Sequence, residues 1–393
     1  MLSTLTVTAP KAIIPESEND KAHHVGHPRT FHNPWPSAES HKPSLIDALK
    51  LRFTHHPDKT NIPLPEGLNG LRSEELVKVQ KPTWGVEQKD TLRATWIGHA
   101  SFLVETPADN GAERGIRILF DPVFCERMSP VSFVGPRRFT PTPCTVEELP
   151  EADIICISHN HYDHLDLDAI KKIYTRRKGK IHVFCGLGGR EFFLKHAKCL
   201  PTDVTELDWW DGVEVAVPEV KSSIRLTCLP AQHGSRRGLF DGNKALWCSF
   251  AVEATSKKLF FAGDTGYQVV GAPSPCPVFK RIGELIGPFD LSLLPIGCFK
   301  PAAFMAEVHC SPVQSLDIHR DIRSKLSIGM HYMTLRGALS AAFEAVQDPG
   351  RTWREHAEKQ GIWCGGGVEG DGTPLVPKEG GVGLVNIGET IAV

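Results

Sequence analysis

The stretch Ile154-Ile155-Cys156-Ile157-Ser158-His159-Asn160-His161-Tyr162-Asp163-His164-Leu165-Asp166 sets an apolar run against a polar turn in which three imidazoles and a carboxylate fall within six positions. The apolar run reads as a buried strand, and the pattern from Leu167 to Arg177 reads as a helix, so the turn lies where a strand gives way to a helix. Imidazole and carboxylate are ligands for zinc and related divalent ions, and a loop offering them at i, i+2, i+4 and i+5 can serve two neighbouring ions. Two ions about 3.5–4 Å apart activate water and clamp the attacking and leaving oxygens of a phosphodiester. His23-His24 and His55-His56 lack the strand-and-helix frame and read as surface polar residues.

Further strand ends carry the same residue types. His233 closes Cys228-Leu229-Pro230-Ala231-Gln232-His233, Asp264 follows Leu259-Phe260-Phe261-Ala262-Gly263, and His331 ends Ile328-Gly329-Met330-His331. Strand ends gather at one edge of a sheet, where open α/β structures place their ligands. A single histidine at such an end is more often structural; the ordered series of cluster, His, Asp and His is what points to a metal site.

The chain has 393 residues, 41% hydrophobic and 23% charged, with a net charge of -2, which fits a soluble globular enzyme and gives no pull toward nucleic acid. No basic stripe with interleaved aromatics is present, which disfavours a nuclease. No window approaches the roughly 18 apolar residues of a spanning helix. The N-terminus lacks a basic region followed by an apolar core. Eleven cysteines, none at C-x-x-C spacing and several inside strand patterns (Cys156, Cys185, Cys228), read as reduced core thiols. The expected location is intracellular, either cytoplasmic or peripheral on an internal membrane.

Residues 1–30, polar and without periodicity, are expected to form a mobile arm, and residues 31–90 an N-terminal extension packing on the core. The extension would be anchored by Phe31-His32-Asn33-Pro34-Trp35-Pro36, with a helix over Ser44 to Phe53 and a Pro-rich link through residue 65. Residues 91–393 would form the catalytic domain. Its strands are expected at 94–97, 102–105, 116–120, 154–157, 181–184, 224–229, 246–252, 258–262, 291–294 and 326–330. Helices are expected at 166–177, 190–196, 279–286, 313–323 and 338–346, which suggests sheets covered by helices. Gly361 to Gly383 reads as a loop or lid. Gly186-Leu187-Gly188-Gly189 lacks the full dinucleotide-binding spacing and reads as a turn.

The order His-x-His-x-Asp-His, His, Gly-Asp, His resembles the metallo-β-lactamase superfamily. Within it the chain is similar to the N-acylphosphatidylethanolamine-hydrolysing phospholipase D family. Matching segments are Phe31 to Pro36, Trp96 to Ser101, Asp121 to Phe124, Gly135 to Phe139, Leu229 to His233, Gly263 to Tyr267, Leu294 to Gly297 and Gly388 to Thr390. The resemblance implies an α/β fold, an αββα sandwich with an N-terminal extension. It implies two zinc ions, one held by His159, His161 and His233, the other by Asp163, His164 and His331, with Asp264 bridging. Asp121, Asp163 and His309 would be catalytic, Asp121 by orienting a ligand or the nucleophilic water and His309 by standing near the reacting phosphate. The implied reaction is hydrolysis of N-acylphosphatidylethanolamine to an N-acylethanolamine and phosphatidic acid.

Four departures from the family pattern involve six residues, Gly234, Ala302-Ala303, Ser311 and Tyr332-Met333, none of them a ligand. They bear on acyl and head-group preference. Met128 to Phe139 sets apolar residues beside arginines, a combination suited to anionic headgroups, so Phe133, Arg137 and Arg138 are candidate substrate-binding residues. An ordinary surface loop has the same composition. The expected partner is a membrane phospholipid met peripherally, with no nucleic acid and a homodimer left open. Two alternatives stand beside this reading: a hydrolase of a soluble substrate such as a sugar-phosphate lactone, and a non-catalytic lipid-binding protein.

Overall fold

Both faces of the strand Ile154–Ile157 are buried, and its side chains alternate between two cores. Ile154 and Cys156 join a cluster with Phe120, Phe250 and Phe261, while Ile155 and Ile157 join one with Ala169, Ile170 and Ile173 of the helix Leu167–Arg176. A strand covered on both faces has no polar side to present, which is why its sequence runs apolar without alternation.

The computed structural model describes residues 5–26, 29–39, 77–109, 111–131, 133–335, 340–367 and 374–393. Among these, seven strands form one sheet in the order 204–207, 182–186, 154–157, 117–120, 101–105, 93–98 and 390–392. Nine form a second, running 6–7, 211–217, 222–229, 249–253, 258–261, 291–295, 326–330 and 381–383, with 11–12 also paired to 211–217. Phe120 of the first sheet stacks on Phe261 of the second at 4.5 Å, so the sheets share an aromatic interior. The helices Val278–Leu285, Pro312–Asp321 and Asp348–Lys359 pack together over the second sheet, and Leu167–Arg176 lies outside the first. The layers are helix, sheet, sheet, helix. Among the described residues no helix is long and apolar enough to cross a membrane.

Several expectations need correction. Of the arm expected to be mobile, Thr6-Val7 and Lys11-Ala12 pair with the strand Asp211–Val217, and buried His23 stacks on Trp209 at 4.1 Å while its Nε2 meets Asp208 at 2.8 Å. His23 and His24 both pair with Asp208 and are not a solvated surface pair. Helix Asp348–Lys359 was hidden by its opening Pro349-Gly350 and by an apolar stripe of only Trp353 and Ala357. The helix expected over 190–196 is one turn at Arg190–Phe192 continued by a wider turn over Phe193–Ala197. Of that over 338–346, residues 338 and 339 lie outside the described residues, and the described part holds a short turn at Ser340–Ala342. Within the Gly-rich segment, Gly381–Gly383 is a strand paired with Leu326–Ile328. The helix expected at Ser44 to Phe53, the Pro-rich link and His55-His56 lie outside the described residues.

Candidate metal centre

Asp166 ends the ligand turn and caps the helix that follows: its Oδ1 accepts from the backbone N–H of Asp168 and Ala169, both at 3.1 Å. Its Oδ2 accepts from Phe124 N at 3.0 Å and Cys125 N at 2.8 Å, tying the turn to the loop after the strand Arg117–Phe120. That loop begins with Asp121, fully buried, whose carboxylate accepts from Ser158 N at 2.8 Å, Ser158 Oγ at 2.5 Å and His164 Nδ1 at 2.7 Å. His99, Asp121 and His331 all adopt left-handed backbone conformations, with φ of 51°, 40° and 65°. Such φ values are uncommon for residues with a side chain, and they cluster at functional sites.

Two groups of ligand atoms converge. His161 Nδ1 lies 2.9 Å from His159 Nε2 and 3.2 Å from His233 Nε2. Ligand nitrogens about 2.0–2.1 Å from a tetrahedral zinc stand roughly 3.4 Å apart, close to this spacing. The second group joins Asp163, His164 and His331 with His99, whose Nε2 is 3.1 Å from Asp163 Oδ2. Asp264 stands between the groups, its Oδ2 3.1 Å from His164 Nε2, 3.8 Å from His233 Nε2 and 3.9 Å from His159 Nε2. Its Oδ1 is 3.0 Å from His331 Nε2.

The orientation of each ring suits ligation. His164 donates from Nδ1 to Asp121 and His233 donates from its own to Val308 O at 2.7 Å, which turns both Nε2 atoms toward the cluster, where a metal ion would take the place of any proton. His164 Nε2, His331 Nε2 and Asp264 Oδ1 are buried without a hydrogen-bond partner, although they crowd one another. A bound cation would satisfy all three. Burial holds His159 and His233 well below the usual imidazole range, as neutral ligands require. Burial also opposes charge on His164 and His331, yet the Asp264 and Asp163 carboxylates outweigh it, carrying His164 up to about 10 and His331 well up. Without an ion, protons on these two imidazoles balance the buried carboxylates. The residues fit divalent metal, and the described clusters hold enough ligands for two ions.

The structure thus brings His159, His161, Asp163, His164, His233, Asp264 and His331 to one site. Asp121 lies behind His164, its carboxylate on that ring's Nδ1 and not on the Nε2 that faces the cluster. His309 faces the cluster with Nδ1 3.9 Å from Asp264 Oδ2, and burial pushes its imidazole down to about 4. Sequence reasoning overlooked His99 as a site residue; its signal was the Gly98-His99 pair at a tight hairpin turn, where Gly98 has φ of 112°.

The three candidate substrate-binding residues separate. Phe133 is 80% exposed, and Arg137 is exposed with its guanidinium on Glu126. Arg138, half-buried, turns inward to donate to Val123 O at 2.8 Å and Cys125 O at 3.4 Å. A second exposed apolar tip, Leu239-Phe240, follows Arg236-Arg237. Tyr162 joins the bases of the two loops. It packs with Val123 and Met128 on one side, and on the other the Arg237 guanidinium lies 3.9 Å over its ring. A cavity of about 400 Å³ opens beside His159 and Tyr162, lined by Leu165, Phe192, Arg237 and Leu246. Gly186 and Gly188 border it, and a Cβ on either would lie 2.2 Å from Leu246 O or 2.4 Å from Lys244 O, so close approach of these backbones requires glycine.

Comparison with known proteins matches residues 116–332 to a family described as a β-lactamase superfamily domain. The chain is 40% identical over 248 residues to N-acyl-phosphatidylethanolamine-hydrolyzing phospholipase D 1 of Caenorhabditis elegans, covering 62% of this chain and 64% of that protein. It is 31% identical over 316 residues to the mitochondrial N-acyl-phosphatidylethanolamine-hydrolyzing phospholipase D of Saccharomyces cerevisiae, covering 79% of this chain and 60% of that one. In both cases the chain spans less than two thirds of the relative. Among solved structures, an isothiocyanate hydrolase from Delia radicum gut bacteria superposes with a TM-score of 0.53 at 16% identity, covering 77% of this chain and 99% of the other. A Veillonella parvula protein described as a possible metal-dependent hydrolase gives 0.51 at 15% identity, with coverage of 77% and 100%. At these identities the structural likeness concerns the fold.

Proposed function

Because the chain belongs to the β-lactamase superfamily and carries its metallo-hydrolase fold, we propose that it is a dinuclear zinc phosphodiesterase of phospholipase D type that hydrolyses N-acylphosphatidylethanolamine to an N-acylethanolamine and phosphatidic acid. The observation that carries this reading is the pair of ligand groups around Asp264, in a chain 40% identical to a relative named for that reaction.

Two zinc ions, when bound, supply an activated water near neutral pH and positive charge opposite the phosphoryl oxygens. His159, His161 and His233 would hold one ion and Asp163, His164 and His331 the other, with Asp264 shared. Asp121 keeps the His164 tautomer fixed. His309, neutral through burial, has one ring N–H to donate to a phosphoryl oxygen or to the leaving alkoxide. The cavity beside His159 combines apolar walls with the Arg237 cation, which suits an amphiphile. The exposed tips Phe133 and Leu239-Phe240, each with arginines nearby, suit contact with a lipid surface.

The test couples metal analysis to product assay. Two zinc equivalents per chain and release of phosphatidic acid from N-acylphosphatidylethanolamine vesicles are expected. Opening of a sugar-phosphate lactone without phospholipid turnover would select the soluble-substrate alternative. Lipid binding with less than about one metal equivalent and no turnover would select the non-catalytic one.

A further inference from the structure

His233 lies four residues beyond the strand Ser222–Leu229, where the ladder no longer provides for its backbone. One side chain takes over: Asn33 Nδ2 donates to His233 O at 2.8 Å, and His233 N donates to Asn33 Oδ1 at 3.2 Å. The amide stands in for an adjoining strand, from 200 positions away in the chain. Its surroundings hold it there. Phe31 N donates to Asn243 O at 2.9 Å, Asn243 Oδ1 accepts from Ser235 N at 3.0 Å, and Ser37 Oγ donates to Gln232 Oε1 at 2.6 Å. Trp35 stacks on Trp209 at 5.3 Å with 14° between planes, so this segment keeps an anchor independent of Asn33.

The His233 ring is fixed at its far end by Nδ1 donating to Val308 O. Backbone and ring together determine where Nε2 points, and a ligand displaced by roughly 0.5 Å or turned by 10–20° loses its productive geometry. We propose that Asn33 is a positioning residue for the metal ion held by His159, His161 and His233, setting the affinity of that ion through the His233 backbone. This rests on the two-ion reading above. Outer partners of metal ligands typically contribute about 10–100-fold in affinity. Asn33 does so through the main chain of the ligand, where Asp121 acts through an imidazole nitrogen.

The experiment titrates zinc into metal-free full chain against a chromogenic chelator, for wild type, Asn33→Ala, Asn33→Asp, His233→Ala and Asn33→Ala/His233→Ala. Wild type is expected to take up two zinc ions. Asn33→Ala should weaken one of them about 10–100-fold and leave the other unchanged. Asn33→Asp keeps the acceptor for His233 N–H but loses the donor to His233 O, so a loss in the same single ion is expected, and it serves as the readout should Asn33→Ala not fold. In the double variant the remaining ion should bind as it does in His233→Ala. Unchanged affinity for both ions in the Asn33 variants, or weakening of the ion that His233→Ala retains, would overturn the proposal. Uptake of a single zinc by wild type would instead reject the two-ion reading, and unchanged affinity for that zinc in Asn33→Ala would reject the role of Asn33 separately.

Discussion

Asp121 accepts a 2.7 Å hydrogen bond from Nδ1 of His164, and solvent reaches neither side chain. The same carboxylate receives Ser158 N on its other oxygen. In Asp121→Asn the amide oxygen would stay on Ser158 N, leaving the NH₂ facing His164 Nδ1. That favours the His164 tautomer protonated on Nε2, which cannot ligate. A loss of about 10–100-fold in affinity for one metal ion is expected, with the folded structure retained. Zinc titration with circular dichroism checks both parts.

Among the described residues, Asp264 is the one carboxylate within 4 Å of imidazoles from both ligand groups. Replacing it by Ala should remove the bridge, and replacing His161 by Ala should open one group. Lewis-acid stabilisation is worth several kcal/mol, so turnover should fall about 10³-fold or more in each variant. Product formation in either at near wild-type rate, with the protein folded, would reject the ligand assignment.

Phe133 and Leu239-Phe240 are apolar tips of two loops that meet at Tyr162. Phe133→Asp and Phe240→Asp should each lower hydrolysis of vesicle substrate several-fold while sparing a soluble short-chain analogue, because interfacial binding scales with buried apolar area. Equal losses on both substrates would locate the effect in the site and not at the membrane.

His319 is buried between Ser327 Oγ at 2.8 Å and Gly380 O at 3.2 Å, and burial pushes its imidazole down to about 4. The unfolded chain binds a proton near pH 6.5, which the folded chain refuses until about 4. The stability from a neutral His319 is therefore complete above pH 6.5 and declines as pH falls toward 4, by on the order of 1–3 kcal/mol. Urea unfolding at pH 7, 6, 5 and 4 should show that slope, and His319→Gln should reduce it. An equal slope in the variant would count against the assignment.

The turn from His159 to His164, the strand ends at His233, Asp264 and His331, and the alternation of sheet and helix were legible because they depend on local matters. Residue type, a short spacing and the end of an apolar run are all visible in a single window. The strap formed by residues 5–25 was not, since it gains its order from Asp208, Trp209 and the edge of a distant strand rather than from its own periodicity. Helix Asp348–Lys359 escaped because burying Trp353 and Ala357 suffices to dock it, and so sparse a stripe barely registers as a pattern. The inward turn of Arg138 was not legible either, because a charged residue beside apolar ones does not reveal the two backbone carbonyls that draw it in.

Which side chains could bind metal was written into the chain, since ligand chemistry belongs to residue types. How they are shared out was decided by folding. The division into two groups about Asp264, the entry of His99 beside Asp163, the tautomers set by Asp121 and Val308, and the grip of Asn33 on His233 all join residues far apart in the chain. Hydrogen bonds and ligand geometry act over about 3 Å of space, and neither the two-residue period of a strand nor the 3.6-residue period of a helix records which distant residue will arrive within that reach.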